Sequence, residues 1–366
     1  MPYHYYDYLN FRGDITIDID GLSPVDASIF ARLSYLPLEL ITDFSSMSIK
    51  DLGEELLKKD KLEEYLVTTE DKKLLKEVIK TKRFENIEVV KFESETDIEI
   101  QKQFAAMTFL LPNEIAMVTF RGTNRELVGW KEDFNMSFLD SVPSQLSALK
   151  YLEKVAKEYE HIIINGHSKG GNLSLYSLTK CKSEVYKKVI RAFNFDGPGL
   201  TEESLTDEVR KRAKEKMTNY IPQGSIVGTL LEREGKEKIV SSKEDPLKQH
   251  DMYNWQISGR DFLYLDHLSK ESKFAEFTLK QWISKVSSKN RELFFEAVYD
   301  LFDQIGKTEF NLILSNRNVI KTLGQLTLSL KDLPSDQRKI VIDGVIELLK
   351  IASRNYVEMR NENRNK

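Results

Sequence analysis

The chain has 366 residues, 40% of them hydrophobic, enough to bury a large core with an appendage beside it. Its 54 basic and 58 acidic residues leave a net charge of −4, which gives no electrostatic footprint for nucleic acid. The single cysteine, Cys181, excludes intrachain disulfides and multi-cysteine zinc sites.

No apolar run reaches the ~18 residues of a membrane span. The start, Met1-Pro2-Tyr3-His4-Tyr5, lacks the basic residues and apolar stretch of a signal peptide. The expectation is a soluble cytoplasmic protein with no cofactor and no metal, peripheral membrane contact staying open.

Residues 22–40 hold an apolar helical stretch, Asp26 to Leu33, which Pro37 ends. From 48 to 83 the chain is dense in Lys and Glu with Leu and Val at amphipathic spacing, a charged helical insertion with a solvated face. Ile87 to Phe92 reads as a strand, and Phe104–Leu111 with Ile115–Phe120 read as a hairpin around Pro112-Asn113-Glu114. Residues 143–160 follow helical spacing, with Leu146, Leu149, Leu152, Val155 and Tyr159 on one face. The short apolar strand Ile162-Ile163-Ile164 runs into Gly166-His167-Ser168-Lys169-Gly170, then a helix over Asn172–Lys180 and a strand over Val189–Phe195. Further strands are expected at Met217–Ile221 and Lys238–Ser241, and only helices after about residue 270. Apolar strands alternating with helices predict an α/β architecture with a parallel sheet buried on both faces.

Gly166-His167-Ser168-Lys169-Gly170 between a strand and a helix meets the conditions of a nucleophile elbow. A sharp turn there lifts the serine clear of the sheet, and small residues two before and two after it let strand and helix meet. A phosphate loop is excluded by spacing, because Lys169 follows the serine and precedes the second glycine. A second motif, Phe120-Arg121-Gly122-Thr123-Asn124, ends a strand and is followed by Trp130, Asp133 and Phe134.

Together these segments resemble the class 3 lipase group of the α/β-hydrolase superfamily. Leu22-Ser23-Pro24, Leu33-Ser34-Tyr35-Leu36-Pro37 and Gln249-His250-Asp251 with Trp255 are similar to one branch, an Mbeg-like bacterial family of unknown function. The resemblance spans about residues 1–265. It implies an α/β-hydrolase fold, Ser168 as nucleophile, and an oxyanion hole from Thr123 and the backbone N–H of Lys169. Thr123 has a plainer reading too, as a hydroxyl capping its own loop.

Five histidines make elimination informative. His4 precedes the core elements. His161 starts the strand leading to the elbow and stands roughly 20 Å from Ser168 at the usual strand rise. His167 adjoins the serine and is expected to point away. Of His250 and His267, a hydrolase favours His250, in a polar loop directly after the last core strand. The acid is less plain. The loop where class 3 lipases carry it, Pro222 to Gly228, has no carboxylate, and Ser225 takes its place. Asp196, ending the strand after the elbow helix, offers a replacement; its alternative is a turn residue bonding Gly197-Pro198-Gly199.

The expected function is carboxyl-ester hydrolysis, lipase- or esterase-like, on a small-molecule or lipid ester. Thioesterase, peptidase or transacylase activity on the same site is the alternative, as is an inactive hydrolase-fold binding protein. The expected organisation is a hydrolase domain over 1–268 and a helical C-terminal region over 269–366. The aromatics Trp282, Phe294, Phe295, Tyr299 and Phe302 are read as packed core.

Overall fold

The computed structural model describes residues 3–42, 44–246, 248–305 and 334–362. In chain order the strands are β1 Met47–Ser48, β2 Glu88–Asp97, β3 Lys102–Leu111, β4 Ile115–Phe120, β5 His161–His167 and β6 Val189–Phe195. They continue as β7 Met217–Pro222, β8 Lys236–Val240, β9 Ile257–Ser258, β10 Asp261–Phe262 and β11 Tyr264–Leu265. Nine of these form one sheet, ordered β1-β2-β3-β4-β5-β6-β7-β8-β11. From β4 to β8 all neighbours are parallel. Antiparallel pairs finish both edges.

Side chains alternate across the parallel strands, so each strand feeds two cores. Met117, Ile163 and Phe193 enter one core, with Tyr5, Tyr8, Phe30, Leu52 and Leu75 from the N-terminal helices. Val118, Ile162, Ile164 and Ala192 enter the other, with Tyr151, Leu152, Leu173 and Leu178. This is why the central strands read as unbroken apolar runs. The parallel centre with helices on both faces, and the strand–serine–helix turn at Ser168, make this an α/β-hydrolase fold.

Local chemistry explains several boundaries. The helix Pro24–Leu33 begins with a capping box, in which the Ser23 hydroxyl accepts from the Asp26 N–H at 3.1 Å and the Asp26 carboxylate accepts from the Ser23 N–H at 2.8 Å. Pro24 at the first position has no N–H to leave unpaired. The Lys- and Glu-dense segment forms helices Ile49–Leu57, Leu62–Tyr65 and Thr69–Val78. Most of their charges face solvent, Asp71 being buried, while Leu52, Leu56, Leu62, Leu74, Leu75 and Val78 belong to the first core.

The helix Pro143–Val155 buries Ala148, Tyr151, Leu152 and Val155, whereas Leu146 is exposed. The buried stripe is therefore rotated from the one that counting leucines predicts. Tyr151 turns inward because its hydroxyl finds Thr108 at 2.8 Å.

Helices Lys270–Lys285, Ser288–Ile305 and Ser335–Glu362 follow the sheet. The first docks on the loop after β7: the Ser269 N–H donates to the Gln223 carbonyl at 2.7 Å, and the Ser272 hydroxyl donates to the Ser225 carbonyl. The second packs on helix Leu127–Asn135, with the rings of Phe134 and Phe295 stacked at 4.9 Å. Trp282, Phe294 and Phe295 are packed together as core, Trp282 lying 5.1 Å from Phe294. The side chains of Tyr299 and Phe302, and residues 306–333 and 363–366 of the expected C-terminal region, lie outside the described residues. No helix among the described residues is long and apolar enough to cross a membrane.

Candidate active site

Ser168 stands between β5 and the helix Lys169–Lys180 with φ 57° and ψ −128°. A non-glycine residue in that region costs about 1–3 kcal/mol, so its surroundings must hold it there. They do so through the backbone. The Ser168 N–H donates to the Phe195 carbonyl of β6 at 3.0 Å, and the Ser168 carbonyl accepts from the Gly171 N–H at 2.8 Å. The glycines of the elbow are required by crowding: a Cβ on Gly166 would overlap the Gly170 carbonyl, and one on Gly170 would overlap the Phe120 carbonyl. The end of β4 and the turn that carries Thr123 are thereby pressed against the elbow.

The first N–H groups of a helix have no acceptor inside it. Lys169 opens the helix after Ser168, so its N–H is such a donor, at the positive end of the helix dipole. Its side chain is fully engaged elsewhere. Lys169 Nζ lies 3.1 Å from Glu132 and 2.9 Å from the Gln103 carbonyl, all buried. Glu132 is satisfied in turn by the N–H groups of Gln103 at 3.0 Å and Ser144 at 2.7 Å. The Thr123 hydroxyl donates to Asp133 Oδ2 at 2.5 Å. Burial pushes the Asp133 carboxyl up to about 6, against the pull of Lys169 and of the Thr123 bond.

Asp196 follows β6 with φ 51° and is buried. Its Oδ2 meets His250 Nδ1 at 2.7 Å, and its Oδ1 accepts from the Ser225 hydroxyl. Ser225 Oγ accepts in turn from the Gly228 N–H at 2.9 Å. The Pro222–Gly228 loop thus brings a serine to a carboxylate supplied by the neighbouring strand β6. Gly228 is obligatory, since a Cβ there would overlap the Asp196 carboxylate. Burial raises the Asp196 pKa, and the bonds from His250 and Ser225 oppose that rise.

His250 is held from both sides. The Gly224 N–H donates to Gln249 Oε1 at 2.7 Å, and Trp255 Nε1 donates to the Gln249 carbonyl at 2.7 Å. That accounts physically for the Gln249-His250-Asp251 and Trp255 pattern. The remaining histidines, His4, His161 and His267, are exposed.

His167 does more than point away from the serine, as its place in the sequence suggests. It is buried, its ring centroid 4.6 Å from that of His250. Its Nε2 is 2.8 Å from the His250 carbonyl and its Nδ1 is 2.9 Å from the Tyr35 hydroxyl. A carbonyl only accepts, so Nε2 carries the proton and Nδ1 accepts from Tyr35. Tyr35 stacks under Arg32, 4.5 Å from its ring, and Arg32 pairs with buried Asp71. Sequence reasoning missed His167, Ser225, Gly228 and Asp133 as members of this cluster. Only the Tyr35 motif and the residues around Trp130 hinted at them.

Burial, then the neighbouring His250 and Arg32, lower the His167 pKa well below about 6.5, so it stays neutral. In the unfolded chain it takes a proton near pH 6.5, which the folded chain does not. Stability therefore falls as the pH drops below about 6.5 and stops falling on this account only below the folded pKa. His167→Phe is expected to remove that slope while costing about 1–3 kcal/mol for each orphaned group, the His250 carbonyl and the Tyr35 hydroxyl. Urea unfolding between pH 5 and 8 reads both effects.

The Mbeg1-like family model matches residues 78–300 of the chain. Among solved structures, an M37 lipase is similar at 19% identity, covering 56% of this chain and 68% of that one, with a TM-score of 0.38. A triacylglycerol lipase from Penicillium expansum is similar at 10% identity, covering 51% and 84%, with a TM-score of 0.30. No curated protein matches the chain.

Proposed function

The chain belongs to the Mbeg1-like family, and from its site we propose that it hydrolyses carboxyl esters by acyl transfer through Ser168. With His250 Nδ1 held by Asp196, Nε2 is the nitrogen that takes the Ser168 proton as the hydroxyl attacks the ester carbonyl. The oxyanion is stabilised by the Lys169 N–H and by Thr123. His250 then gives its proton to the departing alcohol. Water, activated by the same imidazole, attacks the acyl-enzyme and restores Ser168.

The observation that carries this reading is the 2.7 Å pairing of His250 with Asp196 at the end of β6, the strand beside the elbow. It also weakens the reading as an inactive binding protein, which leaned on the absence of a carboxylate near Ser225. That serine bonds the carboxylate of Asp196 instead. We take residues 1–268 as the catalytic unit and 269–366 as an accessory region, its first helix tied to the Ser225 loop. A lipid or other acyl ester is the substrate class.

A fluorophosphonate probe followed by peptide mass spectrometry tests the nucleophile. Ser168 is expected to be the labelled residue, and His250→Ala to abolish labelling. A folded protein that stays unlabelled would refute the proposal. Turnover of p-nitrophenyl butyrate against an acyl thioester and an anilide of the same acyl group then separates esterase from thioesterase and peptidase.

A further inference from the structure

The Thr123 hydroxyl has one proton, and with an ionised Asp133 it is given to Oδ2, 2.5 Å away. A hydroxyl donating there has nothing left to donate to a substrate oxyanion. An ionised Asp133 would also place a negative charge one hydroxyl away from the charge that must develop. Part of Asp133 reaches solvent, but its Oδ1 is enclosed and has no hydrogen-bond partner among the described residues. A buried carboxylate oxygen without a donor is costly as an anion, and far less so as the carbonyl oxygen of a neutral acid whose proton sits on Oδ2.

The charged and titratable groups that act on Asp133 come from its own helix, the elbow helix, the His250 loop and the N-terminal segment. Glu132 precedes it on the same helix and opposes its ionisation. Lys169 favours ionisation from the elbow helix, but its ammonium is bound to Glu132 and the Gln103 carbonyl. His250 favours ionisation when it is charged, and Tyr35, from the N-terminal segment, is near enough to feel the Asp133 charge.

We propose that Asp133 acts as a neutral acid that completes the oxyanion hole, its carboxyl O–H donating to Thr123 Oγ and so turning the Thr123 proton toward the substrate. This rests on the ester-hydrolase reading above. Asp133 is a positioning residue, since it reaches the substrate only through Thr123. Its ionisation redirects the Thr123 proton back to the carboxylate and leaves the Lys169 N–H to hold the oxyanion. The balance between the two states lies at about pH 6, where burial holds the carboxyl. The site loses a donor as the pH rises through that value.

The test is the ratio of kcat/KM for p-nitrophenyl butyrate between wild type and Thr123→Val, from pH 5 to 9. Both proteins keep His250, so its titration cancels in the ratio. The ratio is expected to be on the order of 10²-fold at the acid end, the effect of one oxyanion donor, and to shrink to a few-fold at the alkaline end. In an Asp133→Asn background the amide N–H keeps donating to Thr123, so the ratio should stay near its acid value throughout. A wild-type ratio that does not change with pH overturns the proposal, and this result needs no Asp133 variant to fold. So does a folded Asp133→Asn protein slower than wild type at every pH, which would mean that the anion is needed. Failure of wild type to label at Ser168 would instead remove the ester-hydrolase reading.

Discussion

Ser168→Ala is expected to lower kcat on a carboxyl ester by on the order of 10⁶-fold, the size of effect seen when a triad nucleophile is removed. The loss is large because, in the proposed mechanism, His250 and Asp196 act only through that oxygen. What survives is binding and the oxyanion donors, which alone give roughly 10³-fold over water. The substitution leaves the fold intact, because the backbone bonds to Phe195 and Gly171 hold the turn and alanine bears the same φ of 57° as serine. Ser168→Gly is the companion. It is equally inactive, but glycine occupies that φ without penalty and should stabilise the protein by about 1 kcal/mol. Rates with p-nitrophenyl butyrate and urea midpoints for both variants check the pair. An alanine variant retaining a tenth of wild-type turnover would remove Ser168 as nucleophile.

The elements that sequence periodicity located best are those whose environment is uniform. The strands predicted at Ile115–Phe120 and Val189–Phe195 match the observed β4 and β6 residue for residue, because most of each strand is buried among apolar neighbours. Periodicity failed where small or amphipathic residues do the packing. On helix Pro143–Val155 the contact of Leu152 and Val155 is shared by Ala148 and Tyr151, which a count of leucines overlooks, and Leu146 of the expected stripe lies outward. The short strands β9 to β11, two residues each, carry no periodic signal at all.

The site divides in the same way. A serine flanked by glycines between strand and helix is a local pattern, and Ser168 could be singled out from a few neighbouring residues. Asp196 and His250 could be named as candidates from loop position. That they touch is a fact about residues 54 apart in the chain. His167 adjoins Ser168 and from the sequence reads as pointing away, yet its partners are Tyr35 and His250, 132 and 83 residues away. Ser225 looked like a lost acid because a sequence shows which residue fills a loop position, not what faces it. Here the neighbouring strand β6 supplies the carboxylate, and a hydroxyl and a glycine are what the loop needs to receive it.

Asp196→Asn is expected to cost about 10⁴-fold in kcat while leaving the protein as stable as wild type or more so. The asparagine oxygen can still accept from Ser225, which turns its NH₂ toward His250 Nδ1. Two donors cannot share that contact, so His250 is driven to the tautomer with its proton on Nε2 and can no longer take one from Ser168. Stability is expected to move the other way. Burial raises the Asp196 pKa above that of the unfolded chain, so its contribution is fully present below about pH 3.8 and is lost as the pH rises through the folded value. At neutral pH, well above the unfolded value, the buried carboxyl is therefore a net cost to the folded protein, which the amide relieves. Activity and stability should move in opposite directions, an outcome that a residue needed only to bond the turn at Gly197 would not produce. Such a residue, once replaced, would lower both. Measuring kcat on p-nitrophenyl butyrate beside the urea midpoint at pH 7.5 distinguishes the two, and turnover within tenfold of wild type would exclude Asp196 as the partner of His250.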